Sequence, residues 1–284
     1  MHGTVTWEIM GGRVIGPAPF LVAGILNVTP DSFYDGGGHD APEQAAAHAA
    51  RLLAEGADML DVGGESTRPG ARVVSAGEEL ARIMPAIEAA LALRDSRGEV
   101  PAVSVDTYKA GVAARVLDAG AAIVNDISAC RFDEGLADVL AQHRPGYVLM
   151  HSLGRPADMQ SDPRYGDVVE DILAFFEERL GFLISRGVPE RRIVLDPGIG
   201  FGKTLAHNLD ILRHADRFLT LGRPVYMGLS NKSLWGKLLG LGPPERRTAT
   251  AVATALTWAK GARIHRVHEV ALARQSLRIA EALA

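Results

Sequence analysis

Eight short apolar runs in this 284-residue chain end in, or lead straight into, polar side chains that could do chemistry. LVAGIL ends at Asn27, AVSV at Asp106, AAIV at Asn125, YVLM at His151 and RIVL at Asp196. MLDVGG leads into Glu65, Ser66, Thr67 and Arg68, VYMGL into Ser230 and Lys232, and ARIHRV ends at His268 with Arg266 just before it. Asp106, Asn125, Asp196 and Lys232 offer two carboxylates, an amide and an ammonium, which match a heterocycle carrying adjacent donors and acceptors. Ser66, Thr67 and Arg68 follow two glycines that allow close backbone approach, and hydroxyls beside a guanidinium fork suit phosphate oxygens. Asn27 and the Thr29, Asp31, Ser32 and Asp35 that follow it are amide, hydroxyl and carboxylate groups. Beside a phosphate site, such oxygens point to Mg²⁺ held partly by the substrate.

Several other chemistries fit less well. The stretch from Asp196 to Thr204, DPGIGFGKT, resembles a nucleotide-binding P-loop, but only Ile, Gly and Phe separate Gly198 from the Gly-Lys pair, one residue short of that pattern. Paired carboxylates also serve glycosidases, yet only 6% of the residues are aromatic, poor for a sugar site. His151 and His268 could ligate a metal with Asp106 or Asp196, but Asn27 stands where barrel hydrolases place a His-x-His. His151 reads better as a hydrogen-bonded structural histidine, and His268, two residues after Arg266, as an anion contact.

These side chains need a scaffold that gathers strand ends. A helix-compatible segment follows nearly every apolar run, and parallel strands alternating with helices close into a barrel whose active site lies at the strand C-termini. Helices are predicted at about 41–55 (with Asp40 as N-cap), 77–94, 109–118, 133–142, 166–186, 205–219, 232–240, 244–260 and 269–283. The strands read as Val/Ile/Leu-rich rather than alternating, as for a sheet buried on both faces. Residues 4–15 read as a hairpin with a Gly-Gly turn, placed to cap the barrel bottom. The expected architecture is an α/β (β/α)8 TIM barrel with this N-terminal β-hairpin, a single domain over residues 1–284. Two long connections, after Asn27 and after Gly64, fall on the catalytic face and read as functional lids.

Bulk properties agree with a soluble enzyme. Hydrophobic residues make up 47% of the chain and charged residues 23%. The net charge of −4 argues against a general nucleic-acid binder, so an anionic substrate must be met by local Arg and Lys. One cysteine, Cys130, excludes an intramolecular disulfide and a cysteine zinc site. No run reaches the roughly 20 apolar residues of a membrane span, and the first residues lack the order of a signal peptide, so a cytoplasmic enzyme without a membrane partner is expected.

Together the motifs GILNVTPDSF, DVGGESTRPG, SVDTYK, IVNDIS, VLMH, DPGIGFGKT with His207-Asn208-Leu209, SNKS and RVH resemble the dihydropteroate synthase family. The resemblance runs in order over about residues 20–270. It implies a transferase of folate biosynthesis that joins p-aminobenzoate to 6-hydroxymethyl-7,8-dihydropterin pyrophosphate and releases pyrophosphate, with Mg²⁺. It implies a pterin-binding set of Asp106, Asn125, Asp196, Lys232 and Arg266, with Asp106, Lys232 and Arg266 catalytic. It also implies a pyrophosphate site of Asn27, Thr67, Arg68, Arg266 and His268, with Asn27 the protein contact to Mg²⁺. For p-aminobenzoate it implies a pocket of Phe33, Thr67, Pro69, Phe201, Lys232 and Ser233, completed by a lid that includes Asp35 and Arg68. Ser233 would meet the carboxylate at a helix N-terminus. A homodimer is implied, and an SN1-like displacement fits the chemistry, with Asp106 stabilising a pterin cation. The chain departs from the family at Asn231, where Arg is usual, and at Ser152, where Met is usual. The first is expected to loosen the p-aminobenzoate side and the second to remove an apolar contact to the pterin. A methyltetrahydrofolate methyltransferase would share the barrel and the carboxylates but needs no pyrophosphate loops. A non-catalytic pterin-binding paralogue would draw its support from Asn231 and Ser152.

Overall fold

The computed structural model describes residues 3–28, 41–68 and 70–284. The chain opens with an antiparallel ribbon, β1 (Val5–Glu8) and β2 (Val14–Ala18), whose turn uses Gly11 and Gly12 at left-handed φ, a region glycine enters without steric cost. Eight parallel strands follow: β3 (Leu21–Asn27), β4 (Met59–Gly63), β5 (Ala102–Asp106), β6 (Ile123–Asp126), β7 (Gly146–Met150), β8 (Ile193–Asp196), β9 (Tyr226–Gly228) and β10 (Ile264–Val267). The helices are α1 (Ala41–Ala54), α2 (Ala76–Ala92), α3 (Ala110–Asp118), α4 (Gly135–His143), α5 (Val168–Ser185), α6 (Leu205–Arg213), α7 (Ser233–Leu239), α8 (Arg247–Ala259) and α9 (Val270–Ala282). The strands pair in the order β8-β7-β6-β5-β4-β3-β10-β9, and a parallel bridge from Leu195 to Val225 closes the ring between β8 and the approach to β9. This is the (β/α)8 barrel expected from the sequence.

Each strand buries two faces of different chemistry. Outward side chains, among them Val22, Leu60, Val103, Val124, Leu195 and Met227, join the helices in one apolar shell. Inward side chains of the lower half, including Leu21, Met59, Ile123, Val148 and Ile264, cluster with Val5, Trp7, Ile9 and Ile15 of the ribbon. The ribbon therefore plugs the barrel bottom. Trp7 is fully buried there and donates its Nε1–H to the Arg192 carbonyl at 2.8 Å.

Above that plug the inward positions turn polar. On β4 and β5, Asp61, Ser104 and Asp106 alternate with the outward Leu60, Val62, Val103 and Val105. This corrects the expectation of strands without alternation. Burial on both faces does not require apolar side chains on both, because polar groups can satisfy one another inside the barrel mouth. A second difference is the helix predicted over 205–219. It stops at Arg213, His214 leaves helical geometry, and residues 215–221 continue as 3-10 turns. The expected N-cap of α1, Asp40, lies outside the described residues.

Candidate active site

Strand register brings the predicted site residues to one level of the barrel. Asp106 of β5 lies beside Asn125 of β6, and Gly63 of β4 lies beside both Asn27 and Asp106. Arg266 of β10 reaches across the mouth. Its Nη2–H donates to Asp106 Oδ2 at 2.7 Å and its Nε–H to Asp61 Oδ2 at 2.5 Å. Asp61 is 0% exposed and accepts two further hydrogen bonds, from Ser104 Oγ at 2.5 Å and from Asn125 Nδ2 at 3.0 Å. Sequence reasoning gave Asp61 no role of its own. The signal was there, since Asp61 is the only charged residue within the strand MLDVG.

One guanidinium thus faces two carboxylates, Asp61 fully buried and Asp106 with 12% of its side chain exposed. Burial pushes the Asp106 carboxyl above the usual carboxylate range, and the negative charges of Asp61 and Glu79 push the same way against Arg266 and Lys232. Burial also works against the charge of Arg266, but Asp61 and Asp106 more than offset it and hold the guanidinium protonated. Burial raises Asp196 too, while the Gly198 N–H, which donates to its Oδ1 at 2.8 Å, and the nearby Lys232, Lys203 and Arg266 pull it back. Lys232 is pushed down to about 8, chiefly by burial. Its Nζ lies 4.4 Å from the centroid of the Phe201 ring, a cation–π contact that joins the carboxylate side of the site to its aromatic side.

The loop between β8 and α6 depends on glycine. Gly198 has φ +69°, and a Cβ there would sit 1.9 Å from the His151 carbonyl oxygen. Lys203, buried at the end of this loop, donates to the Phe201 carbonyl at 3.0 Å and lies 3.0 Å from His151 Nδ1. Burial and the Lys203 charge push His151 down to about 2, so it is neutral and packs edge-on against Phe175. Beside the loop, Tyr108, Ile127, Met150, Met159 and Phe201 form a separate apolar wall. Ser152 is buried, and its hydroxyl donates to the Gly154 carbonyl at 2.9 Å. Asn231 adopts φ +56°, a left-handed conformation that Asn tolerates better than most residues.

On the other side of the mouth, burial and the charges of Arg266, Lys232 and Arg68 push His268 down to about 4. Its ring is neutral near pH 7, and its tautomer follows from Ser230. Ser230 Oγ accepts the His268 backbone N–H at 3.2 Å and lies 2.9 Å from His268 Nδ1. With Oγ already accepting, the serine O–H is best spent on Nδ1, which leaves the proton on Nε2. The ring then presents an N–H donor. Asn27 Oδ1 and Asp106 Oδ2 lie 3.5 and 3.8 Å from the point where a Gly63 Cβ would stand, so the bare glycine keeps the gap between them open.

Thr67 is half-buried and Arg68 exposed on the loop after β4. The root of that loop is held by Glu65, which accepts from Tyr108 Oη at 2.9 Å and pairs with Lys109; Lys109 pairs in turn with the buried Glu79. Ser233 is exposed at the first position of α7. Phe33, Asp35 and Pro69 lie outside the described residues.

Comparison with known proteins gives the family. Residues 23–268 match the family described as pterin binding enzyme. The chain belongs to the dihydropteroate synthase family of pterin-binding enzymes. It is 44% identical to the dihydropteroate synthase of Bacillus subtilis over 88% of this chain and 84% of that protein. With the Escherichia coli dihydropteroate synthase it shares 41% identity over 92% of this chain and 90% of the relative. Among solved structures, the Xanthomonas albilineans dihydropteroate synthase with 4-aminobenzoic acid superposes with a TM-score of 0.89 at 41% identity, covering 98% of each chain. The Yersinia pestis dihydropteroate synthase with a sulfonamide drug superposes with a TM-score of 0.90 at 38% identity, covering 98% of this chain and 99% of that one.

Proposed function

We propose that this protein joins p-aminobenzoate to 6-hydroxymethyl-7,8-dihydropterin pyrophosphate, forming 7,8-dihydropteroate and pyrophosphate in folate biosynthesis. The observation that carries the reading is the convergence of Asp106, Asn125, Asp196, Lys232 and Arg266 at the open end of a barrel that matches dihydropteroate synthases along nearly its whole length. A relative from Xanthomonas albilineans was solved with 7,8-dihydropteroate itself.

In this reading Asp106 and Asp196 accept from the pterin ring edge, Asn125 both accepts from it and donates to it, and Lys232 donates to a ring acceptor. Arg266 lies over the ring and, with His268 Nε2–H, Thr67 and Arg68, takes up negative charge on the departing pyrophosphate. The carbon–oxygen bond breaks first and its electron pair leaves with pyrophosphate. The cation left on the exocyclic carbon is stabilised by the Asp106 carboxylate. The aniline nitrogen then forms the carbon–nitrogen bond and sheds a proton. Thr67, Phe201, Lys232 and Ser233 are assigned to the p-aminobenzoate pocket; Phe33, Pro69 and Asp35 join the pocket and its water-excluding lid on the family resemblance alone.

Asn27 fits Mg²⁺, because its Oδ1 is a hard oxygen beside a gap that Gly63 leaves open and Asp106 borders. When bound, Mg²⁺ supplies charge neutralisation on the pyrophosphate. Single-domain organisation over 1–284 and a cytoplasmic location accompany this reading; among the described residues no helix is long and apolar enough to cross a membrane. A homodimer does too. Val252 and Leu256, one turn apart on α8, are 54% and 62% exposed, and Leu238 and Leu239 of α7 are exposed as well.

The test uses purified protein, labelled p-aminobenzoate, the pterin pyrophosphate and Mg²⁺. Dihydropteroate is the expected product. Pterin binding without turnover refutes the enzymatic assignment, and methyl transfer to a corrinoid protein would replace it with the methyltransferase. Light scattering on the same sample reads the oligomeric state.

A further inference from the structure

Asp61 lies one layer below the residues assigned to substrate, and its contacts give it a role of its own. It is the point where three donors from three other strands meet. Oδ2 accepts Arg266 Nε–H from β10 and Asn125 Nδ2–H from β6, and Oδ1 accepts Ser104 Oγ–H from β5. A carboxylate with no exposed surface holds its place only if its acceptor sites are filled by such donors.

Two of these contacts constrain groups assigned to the substrate. A guanidinium has a fixed planar fork, so pinning its Nε–H sets the direction of both terminal nitrogens. With Nε on Asp61, Nη2 falls on Asp106 at 2.7 Å, and the guanidinium is only 20% exposed at the barrel mouth. Asn125 is constrained in a different way. Asp61 accepts here from Arg266 and Ser104 too, so it is the Asn125 nitrogen that faces Asp61 while its Oδ1 faces elsewhere. The amide cannot flip without placing two oxygens against each other inside the protein. Asn125 therefore meets a ligand with its oxygen as acceptor and one remaining N–H as donor.

We infer that Asp61 is a positioning residue for the reaction: it orients the Arg266 guanidinium and fixes the donor–acceptor polarity of Asn125, and so sets which face and edge of the pterin the site accepts. It does not touch substrate. The inference rests on the pterin reading of the site, and it predicts an effect on the pterin half of the reaction only.

Asp61→Asn separates the roles. The variant keeps size and shape. Its own oxygen can take the Oδ2 position, and its nitrogen can donate to a rotated Ser104 hydroxyl, so the fold has no unpaired group to shed. What it loses is the charge that grips Arg266 and Asn125. Asp61→Ala removes the acceptor altogether. The expected order of kcat is wild type, then Asp61→Asn at about tenfold lower, then Asp61→Ala lower again, with the KM for the pterin pyrophosphate rising and the KM for p-aminobenzoate unchanged. If Asp61→Ala fails to fold, Asp61→Asn decides the matter.

Bare pterin binding, followed by calorimetry, is measured on the same proteins and is expected to weaken about tenfold in Asp61→Asn. That arm needs no turnover. A wild-type protein that binds pterin but makes no dihydropteroate would sink the functional reading and leave this comparison to judge Asp61. Asp61→Asn with kcat, pterin KM and pterin affinity all within about twofold of wild type overturns the inference. So does a parallel rise in both KM values, the mark of general loosening rather than positioning.

Discussion

Replacing Asp106 with Asn removes the negative charge nearest the carbon where a pterin cation would form, and little else. The amide still offers an oxygen to Arg266 Nη2, now 2.7 Å from Asp106 Oδ2, and Arg266 keeps its bond to Asp61. The fold should survive. The size of the kinetic effect follows from Coulomb's law. Unit charges about 4 Å apart at an effective dielectric constant of about 20 interact by about 4 kcal/mol. Partial charge development in the transition state trims this to about 3 kcal/mol, which corresponds to a loss of roughly a hundredfold or more in kcat. The carboxylate acts on bond breaking in the pterin, so the KM for p-aminobenzoate should not move. The assay is steady-state product formation with each substrate varied in turn, together with a thermal melt to verify folding. An Asp106→Asn enzyme with kcat within about fivefold of wild type would refute the cation-stabilising role, because only a water-like dielectric makes a charge at this distance worth so little.

Two further outcomes follow from the same structure. Lys232 is pushed down to about 8 by burial, so pterin affinity should fall as pH rises through that value, since the group loses its charge above its pKa. Fluorescence titration of pterin binding across neutral to alkaline pH reads this, and Lys232→Met should bind weakly at every pH. Trp7→Ala should destabilise the protein by about 3–5 kcal/mol, because it opens a cavity in the barrel plug and strands the Arg192 carbonyl. The urea midpoint checks it, and an unchanged midpoint would mean that the ribbon does not hold the barrel bottom.

The barrel was legible because its pattern is local. Each strand is a short apolar run closed by or leading into polar residues, α2, α5 and α6 carry side-chain caps at Ser75, Asp167 and Thr204, and the alternation repeats through the chain with little interruption. Asp106, Asn125, Asp196, Arg266 and His268 could be named for the same reason: each sits within one residue of the C-terminal end of a barrel strand, and fold geometry sends all such ends to one face. The helix drawn over 205–219 was misjudged because its break at His214 carries no Gly or Pro.

Other features depend on which strands become neighbours. Asp61 looks like one charge in a glycine-rich motif until β10, β6 and β5 bring Arg266, Asn125 and Ser104 onto it from as far as 205 positions away. Gly198 needs its left-handed φ, and its lack of room for a Cβ arises because His151, just past β7, presses a carbonyl against it. The tautomer of His268 waits on Ser230, which lies 38 residues earlier in the chain. Periodicity and strand-end chemistry are properties of neighbouring residues, so they can be read along the chain. Hydrogen-bond partners, burial and charge balance are properties of pairs distant in sequence, and closure of the barrel is what creates them.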